Sequence, residues 1–383
     1  MRGDFVHVSE SVSAGHPDKL CDAISDAIVD AYLDADPLAR VNAECAMANG
    51  IVFLAVRFAS DAQLDPGEIV RREVARVGYQ DDDVDPATLS VMLSMARLPN
   101  RSRLPALAVD AGSVPAGRLV TSFGFACLQT ADLMPLPIWL AHSIARALSD
   151  AAKGRHIAGL APDAVAQVAV RYANWQPVAV DAVSIEAAVS EHAGRSAGLS
   201  DAIRETIVAP ILADLAIAPP SADAIRINPG DQLEGGGPSR HTGLTGRKTA
   251  CDLYGGYARA TASGLSGKDP WRIDRSAAYA ARQAARFVVD QGWARVCEVQ
   301  LSYRTDLAVP TSLQLATYDS HALDEASILA RLREAIDFRP AALARDLGLV
   351  GPQRTRLVEL AAFGQVGRSD PPLAWEAAPP ARG

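Results

Sequence analysis

The stretch V-N-A-E-C-A-M-A-N-G-I-V-F-L-A-V-R-F, residues 41–58, decides how the chain folds. Two β-prone runs, 41–48 and 51–58, bracket Asn49-Gly50, and an Asn-Gly pair in that setting is the strongest short hairpin signal. Upstream, Leu20, Ile24, Ala27, Ile28, Ala31 and Tyr32 recur at helical spacing behind His16-Pro17-Asp18. Pro17 suits a first helical turn and Asp18 suits the positive end of a helix. Downstream, 66–78 reads as a helix and 88–96 as a strand. Further helices are expected at 135–149, 198–212, 276–291 and 326–338, and strands at 166–172, 178–183, 297–303 and 312–318. Hairpin, helix, strand and helix thus recur about three times, which predicts an α+β chain of three similar units. Pro and Gly punctuate 97–117 and 228–246, so both are read as loops, and loops that long in a compact domain are usually functional. The Pro-rich segment after Gly367 is expected to be mobile.

The 383 residues suffice for two or three domains with buried cores. A hydrophobic fraction of 49% with 21% charged residues is that of a globular protein. The net charge of −8 argues against nucleic acid or an anionic membrane as partner, and makes a local basic cluster informative. Five dispersed cysteines without a C-x-x-C pair fit buried thiols in a reducing compartment. The start has no apolar signal core, and no apolar run approaches the about 20 residues of a membrane span, so a cytoplasmic protein is expected.

Two distant stretches carry the chemistry. One is S-E-S-V-S-A-G-H-P-D-K at 9–19; the other runs from G-L-T-G-R-K at 243–248 through S-G-K-D-P-W-R-I-D at 266–274. Together they put His16, Asp18, Arg247, Lys248, Lys268, Arg272 and Asp274 at the disposal of one anionic ligand. A triphosphate needs several cations and magnesium: Arg forks onto phosphate oxygens, Lys supplies a point charge, and Gly-rich backbone lets phosphate approach N–H groups. Asp18 and Asp274 are candidate metal carboxylates, and His16 is a candidate donor to an oxygen gaining charge. Taken singly, each has a bland reading: Asp18 as a helix cap, Gly-Arg-Lys as a solvated turn, Glu44 as an edge charge.

Further motifs join these: D-A-I-S-D-A at 22–27, D-L-M-P-L-P-I at 132–138, I-N-P at 227–229, Y-G-G at 254–256, D-R-S-A-A-Y-A-A-R at 274–282 and F-R-P at 338–340. With them the chain resembles the S-adenosylmethionine synthetase (methionine adenosyltransferase) family from residue 4 to about residue 376. The resemblance implies three similar α+β domains related by pseudo-threefold symmetry, here 1–105, 113–230 and 232–370, with 371–383 as a mobile tail. It implies homodimers that share active sites and often pair into homotetramers. It also implies a reaction in which methionine sulfur displaces the whole triphosphate from C5′ of ATP, followed by triphosphate hydrolysis. A thioether needs no general base, so positioning and neutralisation of the leaving charge carry catalysis. By position, His16 would stabilise the departing oxygen, Asp18 and Asp274 would bind Mg²⁺, and Arg247, Lys248 and Lys268 would hold phosphates. Arg272 stands where the family usually has Lys, Glu44 matches a position linked to K⁺, and Glu10 matches another active-site acid.

The resemblance fails in one region. The family's G-A-G-D-Q-G loop reads P-A-G-R-L-V at 115–120, so an Asp that helps hold the methionine ammonium is Arg118 and its neighbouring Gln is Leu119. A Glu serving the amino acid is Arg57, an active-site Lys is Val165, an Asp is His241, and the Phe beside adenine aligns with Leu233. The lid signature is replaced by R-L-P-N-R-S-R at 97–103. Arg in place of a carboxylate turns a pair with an ammonium into a repulsion. The expected function is therefore ATP-dependent adenosyl transfer with loss of the whole triphosphate and a changed acceptor. The alternatives are a divergent true S-adenosylmethionine synthetase using ATP and methionine, a non-catalytic or regulatory synthetase paralogue, and a triphosphate hydrolase.

Overall fold

The computed structural model describes residues 4–79, 84–99, 114–190, 198–229 and 236–380. Expectations for Leu233 and for most of the lid stretch lie outside these residues. In chain order the elements are β1 (Asp4–Val12), α1 (Pro17–Ala35), β2 (Arg40–Ala48), β3 (Ile51–Ala59), α2 (Pro66–Arg76), β4 (Ser90–Arg97), β5 (Val120–Cys127) and α3 (Leu136–Lys153). Then follow β6 (Leu160–Ala173), β7 (Gln176–Val189), α4 (Leu199–Ile203), α5 (Ala209–Ala213), β8 (Ile225–Ile227), β9 (Gly243–Leu244) and α6 (Thr249–Asp252). The chain closes with α7 (Ile273–Asp290), β10 (Val296–Tyr303), β11 (Ser312–Ala316), α8 (Glu325–Ala335) and α9 (Pro340–Asp346). A π-helical turn, Arg204–Val208, joins α4 to α5, so the helix expected at 198–212 is one interrupted rod.

Three sheets form the three-domain α+β fold. Their strand orders are β1-β6-β7-β8, β11-β10-β5 and β4-β3-β2-β9. The hairpin forms as predicted: Ala48 faces Ile51, and Asn49 and Gly50 take φ of 46° and 73°, the two positive values a tight hairpin turn requires. Each sheet nevertheless borrows a strand from a distant part of the chain. β1 runs antiparallel to β6, with Val8 opposite Ala169. β5 pairs with β10, Gly124 opposite Val299, and β9 pairs with β2, Leu244 opposite Ala46. None of these three pairings was expected, nor were β1, β5, β8, β9 and α9 as elements.

Helix α1 is the hub. His16 caps it, its side chain accepting the Asp18 N–H, and Pro17 occupies the first turn. Leu20, Ile24 and Ile28 are fully buried in the larger of two hydrophobic cores. The opposite stripe is acidic and also buried: Asp18, Asp22, Asp26 and Asp30 recur every fourth residue and so share one face. Each accepts backbone N–H groups from the part of the chain that follows residue 243. Leu244 donates to Asp18 at 3.0 Å, Gly246 to Asp22 at 2.7 Å and Gly267 to Asp26 at 2.7 Å. Leu357 and Val358 donate to Asp30 at 3.1 and 3.0 Å. This ladder fixes the loops at 243–248 and 266–274 against the start of the chain. Gly267 has φ 77°, and an added Cβ would lie 1.9 Å from the Ala43 carbonyl oxygen, so the loop can approach only as glycine.

The expectation of a mobile tail is corrected. Trp375 is fully buried and stacks on Tyr279 with ring centroids 4.1 Å apart, and Glu376 accepts from the Arg282 guanidinium at 2.8 Å. An aromatic ring of that size buried against a helix anchors the segment. All five cysteines are free and buried, as expected.

Candidate active site

The seven phosphate and metal candidates do not converge on one point within a chain. They form two clusters, and no hydrogen bond or ion pair among the described residues joins one to the other. The first lies at the start of α1. His16 is buried, and burial pulls its imidazole down to about 4, against the weaker opposing pull of Asp163 and Asp18. It is therefore neutral near pH 7. Its Nδ1 accepts the Asp18 N–H at 3.1 Å, which leaves the ring proton on Nε2 as a donor. Asp18 is buried, with the Arg247 guanidinium 3.4 Å from Oδ1. Lys248 stands 3.6 Å from Glu10, and both line a cavity of about 410 Å³ together with Arg247.

The second cluster surrounds Asp274, at the start of α7. Lys268 Nζ, Arg272 Nε and Arg118 Nε lie 3.7, 3.7 and 3.9 Å from its carboxylate. All three are outside hydrogen-bond range, and the buried Oδ2 of Asp274 has no hydrogen-bond partner. A buried carboxylate short of a ligand is suited to a hard cation, so the residues present fit Mg²⁺. Burial is the largest influence on Lys268 and Arg272 and lowers both, favouring an added anion nearby. A cavity of about 510 Å³ opens beside them, lined also by Arg40, Glu44, Arg57 and Arg118.

The rewritten positions are distributed as follows. Arg118 reaches into this second cluster and Arg57 projects from β3 into the same cavity, while Leu119 is exposed. Glu44 is exposed on β2 and accepts from the Asn42 amide at 3.1 Å. Val165 lies on β6 between Val12 and Glu186 and offers no charge. His241 joins the first cluster, its Nε2 2.7 Å from Asp163 Oδ2, a contact that raises its affinity for a proton. Asp163 was not anticipated as a site residue, although it stands two positions before Val165 in the run P-D-A-V-A-Q-V at 162–168. Lys19 Nζ was also missed. It is wholly buried between Asp22, at 2.9 Å, and Asp252, and so belongs to the scaffold.

Three family models cover the described chain: the N-terminal domain of S-adenosylmethionine synthetase matches residues 4–98, the central domain 113–233 and the C-terminal domain 235–377. The chain belongs to the S-adenosylmethionine synthetase family. The S-adenosylmethionine synthase of Acaryochloris marina is 37% identical over 397 residues, covering 97% of this chain and 94% of that protein. That of Synechocystis sp. is 37% identical over 398 residues, covering 97% and 93%, and that of Gloeothece citriformis 36% over 394 residues, covering 97% and 94%. The family is one of transferases, which agrees with the adenosyl-transfer chemistry expected from the motifs. The changed acceptor finds no support in these relatives, whose names fit the plain synthetase alternative better.

Proposed function

We propose that the chain transfers the adenosyl group of ATP to methionine, releasing the whole triphosphate. The observation that carries this reading is the retained leaving-group machinery: a neutral, buried His16 whose Nδ1 is engaged by the Asp18 N–H so that its proton sits on Nε2, and the Lys268–Arg272–Asp274 cluster with an unpartnered carboxylate oxygen. Asp18 and Asp274 would hold Mg²⁺, which when bound supplies positive charge beside the phosphates. Glu44 is assigned to K⁺ on the family resemblance alone. Arg247, Lys248, Lys268 and Arg272 bind and orient phosphate oxygens, and His16 donates to the oxygen on which charge develops. The methionine sulfur forms the new bond to C5′ as the C5′–O bond breaks.

A homodimer completes the site in this reading. The two clusters are separate in one chain, and the sheet face from which Glu44 and Arg57 project also exposes Ile51, Phe53 and Met92. Such an apolar patch on a soluble fold marks an interaction surface. A tetramer, the domain ranges given above and a cytoplasmic location are proposed on the resemblance. Among the described residues no helix is long and apolar enough to cross a membrane.

One observation favours a second reading. Arg57 and Arg118 line the cavity beside Asp274, where a methionine ammonium would meet two guanidinium groups. An acceptor bearing carboxylate or phosphate and no ammonium there would suit it. Incubating the protein with ATP and Mg²⁺, with and without methionine, separates the two. Formation of S-adenosylmethionine, read by mass spectrometry, supports the first. Absence of that product at millimolar substrate, with triphosphate loss only when an anionic acceptor is added, supports the second.

A further inference from the structure

His16, Asp163 and His241 each place one ligand atom within 4.8 Å of the other two. They come from three elements: the cap of α1, strand β6, and the turn before β9. The His16 and His241 rings meet edge to face with centroids 5.0 Å apart, and His241 Nε2 is 2.7 Å from Asp163 Oδ2. The backbone holds this arrangement from several sides. The Gly237 N–H donates to Asp163 Oδ2 at 2.8 Å, and the His241 N–H donates to the Gly237 carbonyl at 3.1 Å. The Tyr79 hydroxyl donates to the Gly15 carbonyl at 2.7 Å, fixing the residue before His16. Asp163 Oδ1 makes no hydrogen bond among the described residues.

We propose that His16, Asp163 and His241 form a binding site for a borderline divalent transition-metal ion, with Zn²⁺ as the representative. Two imidazoles and one carboxylate select such ions over Mg²⁺ and Ca²⁺, which prefer all-oxygen sites. Three protein ligands leave a fourth position for water or a phosphate oxygen. Ligands about 2.1 Å from a tetrahedral zinc ion stand roughly 3.4 Å apart, so the wider separations close by about 1.4 Å at most, and the 2.7 Å contact of His241 with Asp163 opens by about 0.7 Å. The ion displaces the proton shared by His241 and Asp163; His16 ligates through Nε2 as a neutral imidazole by moving its ring proton to Nδ1, which releases the hydrogen bond from the Asp18 N–H. The hydrogen bond from the Gly237 N–H to Asp163 then acts as outer support that orients the carboxylate. His241 has 44% of its side chain exposed, which gives the ion a way in. The site uses neither Asp18 nor Asp274, and it goes beyond the proposed transfer reaction because it depends on His241, a position the reaction does not require as His.

The test is direct binding, independent of turnover. Chelator-treated protein is titrated with Zn²⁺ by equilibrium dialysis in excess Mg²⁺, and with Co²⁺ by visible absorption. One ion per chain, with Co²⁺ bands lacking thiolate charge transfer, is expected. Affinity in His241→Asn should fall at least tenfold. The exposure of His241 makes that variant safe for the fold, and an unchanged melting temperature checks it. No stoichiometric Zn²⁺ binding to the unmodified protein, equal affinity in His241→Asn, or a thiolate band would each overturn the site.

Discussion

Single residues carry the sharpest expectations. His16 presents Nε2–H to the site and is held neutral by burial, so it acts as a hydrogen-bond donor across the neutral pH range. Removing one preorganised donor from a developing oxyanion reduces turnover by about 10²–10³. His16→Ala should therefore lose kcat by that factor, while the lost α1 cap costs only about 1 kcal/mol of stability and leaves the protein folded at assay temperature. Asp274→Asn should abolish the Mg²⁺ dependence of turnover; unchanged metal titration curves would show the carboxylate is misassigned. At the acceptor side, replacing both Arg57 and Arg118 by Gln removes the repulsion toward an ammonium. It should raise kcat/KM for methionine at least tenfold, measured by steady-state product formation. His142 makes a separate point about acid stability. Its Nδ1 meets Ser11 Oγ at 2.8 Å, and burial holds its imidazole down at about 3. The folded state keeps this ring neutral while the unfolded chain protonates it below about 6.5, so its contribution is present above that pH and lost as pH falls. At pH 5 the loss is about 2 kcal/mol, and the urea midpoint should drop between pH 7 and 5 by less in His142→Asn than in the unmodified protein.

Elements were legible where the signal was local. The 41–58 hairpin, α1, α2, α3, α7 and β10 all read directly from turn chemistry or periodicity, because their decisive neighbours are a few residues away. The phosphate cations and metal carboxylates were legible as residue types in dense motifs. What failed was anything whose partner is remote. β1 needs β6, β5 needs β10, and the tail is anchored only because Trp375 finds Tyr279 on α7. Asp163 gained a role only through His241, 78 residues later. The acidic stripe of α1 was equally hidden, since the apolar face alone predicts the helix. Its energetics are testable at Asp26, which accepts two hydrogen bonds from Arg275 at 2.7 and 2.8 Å in a fully buried pair. Removing one partner of such a pair strands the other charge, typically at about 3–5 kcal/mol. Asp26→Ala should lower the unfolding free energy by that amount in urea titration, far more than Asp34→Ala, where the same stripe reaches the exposed C-terminal end of the helix.

At the scale of the whole molecule, the separation of the two clusters makes association the central question. If a second copy completes the site, Phe53→Lys with Met92→Lys should yield a monomer by analytical ultracentrifugation and reduce turnover at least 100-fold with folding intact. A fully active monomer would mean one chain suffices.

The strand borrowing that knits the sheets also sets a schedule for the growing chain on the ribosome. β1 leaves the exit tunnel well before its pairing edge on β6, which, with Ala169 opposite Val8, is translated some 160 residues later. At roughly 5–20 residues per second that is about ten to thirty seconds of waiting, with an unpaired strand edge exposed throughout. β2 waits longer still for β9, which pairs Leu244 with Ala46. Nascent chains of this protein are thus natural clients for factors that shield strand edges during synthesis, and slowing translation prolongs that dependence rather than relieving it.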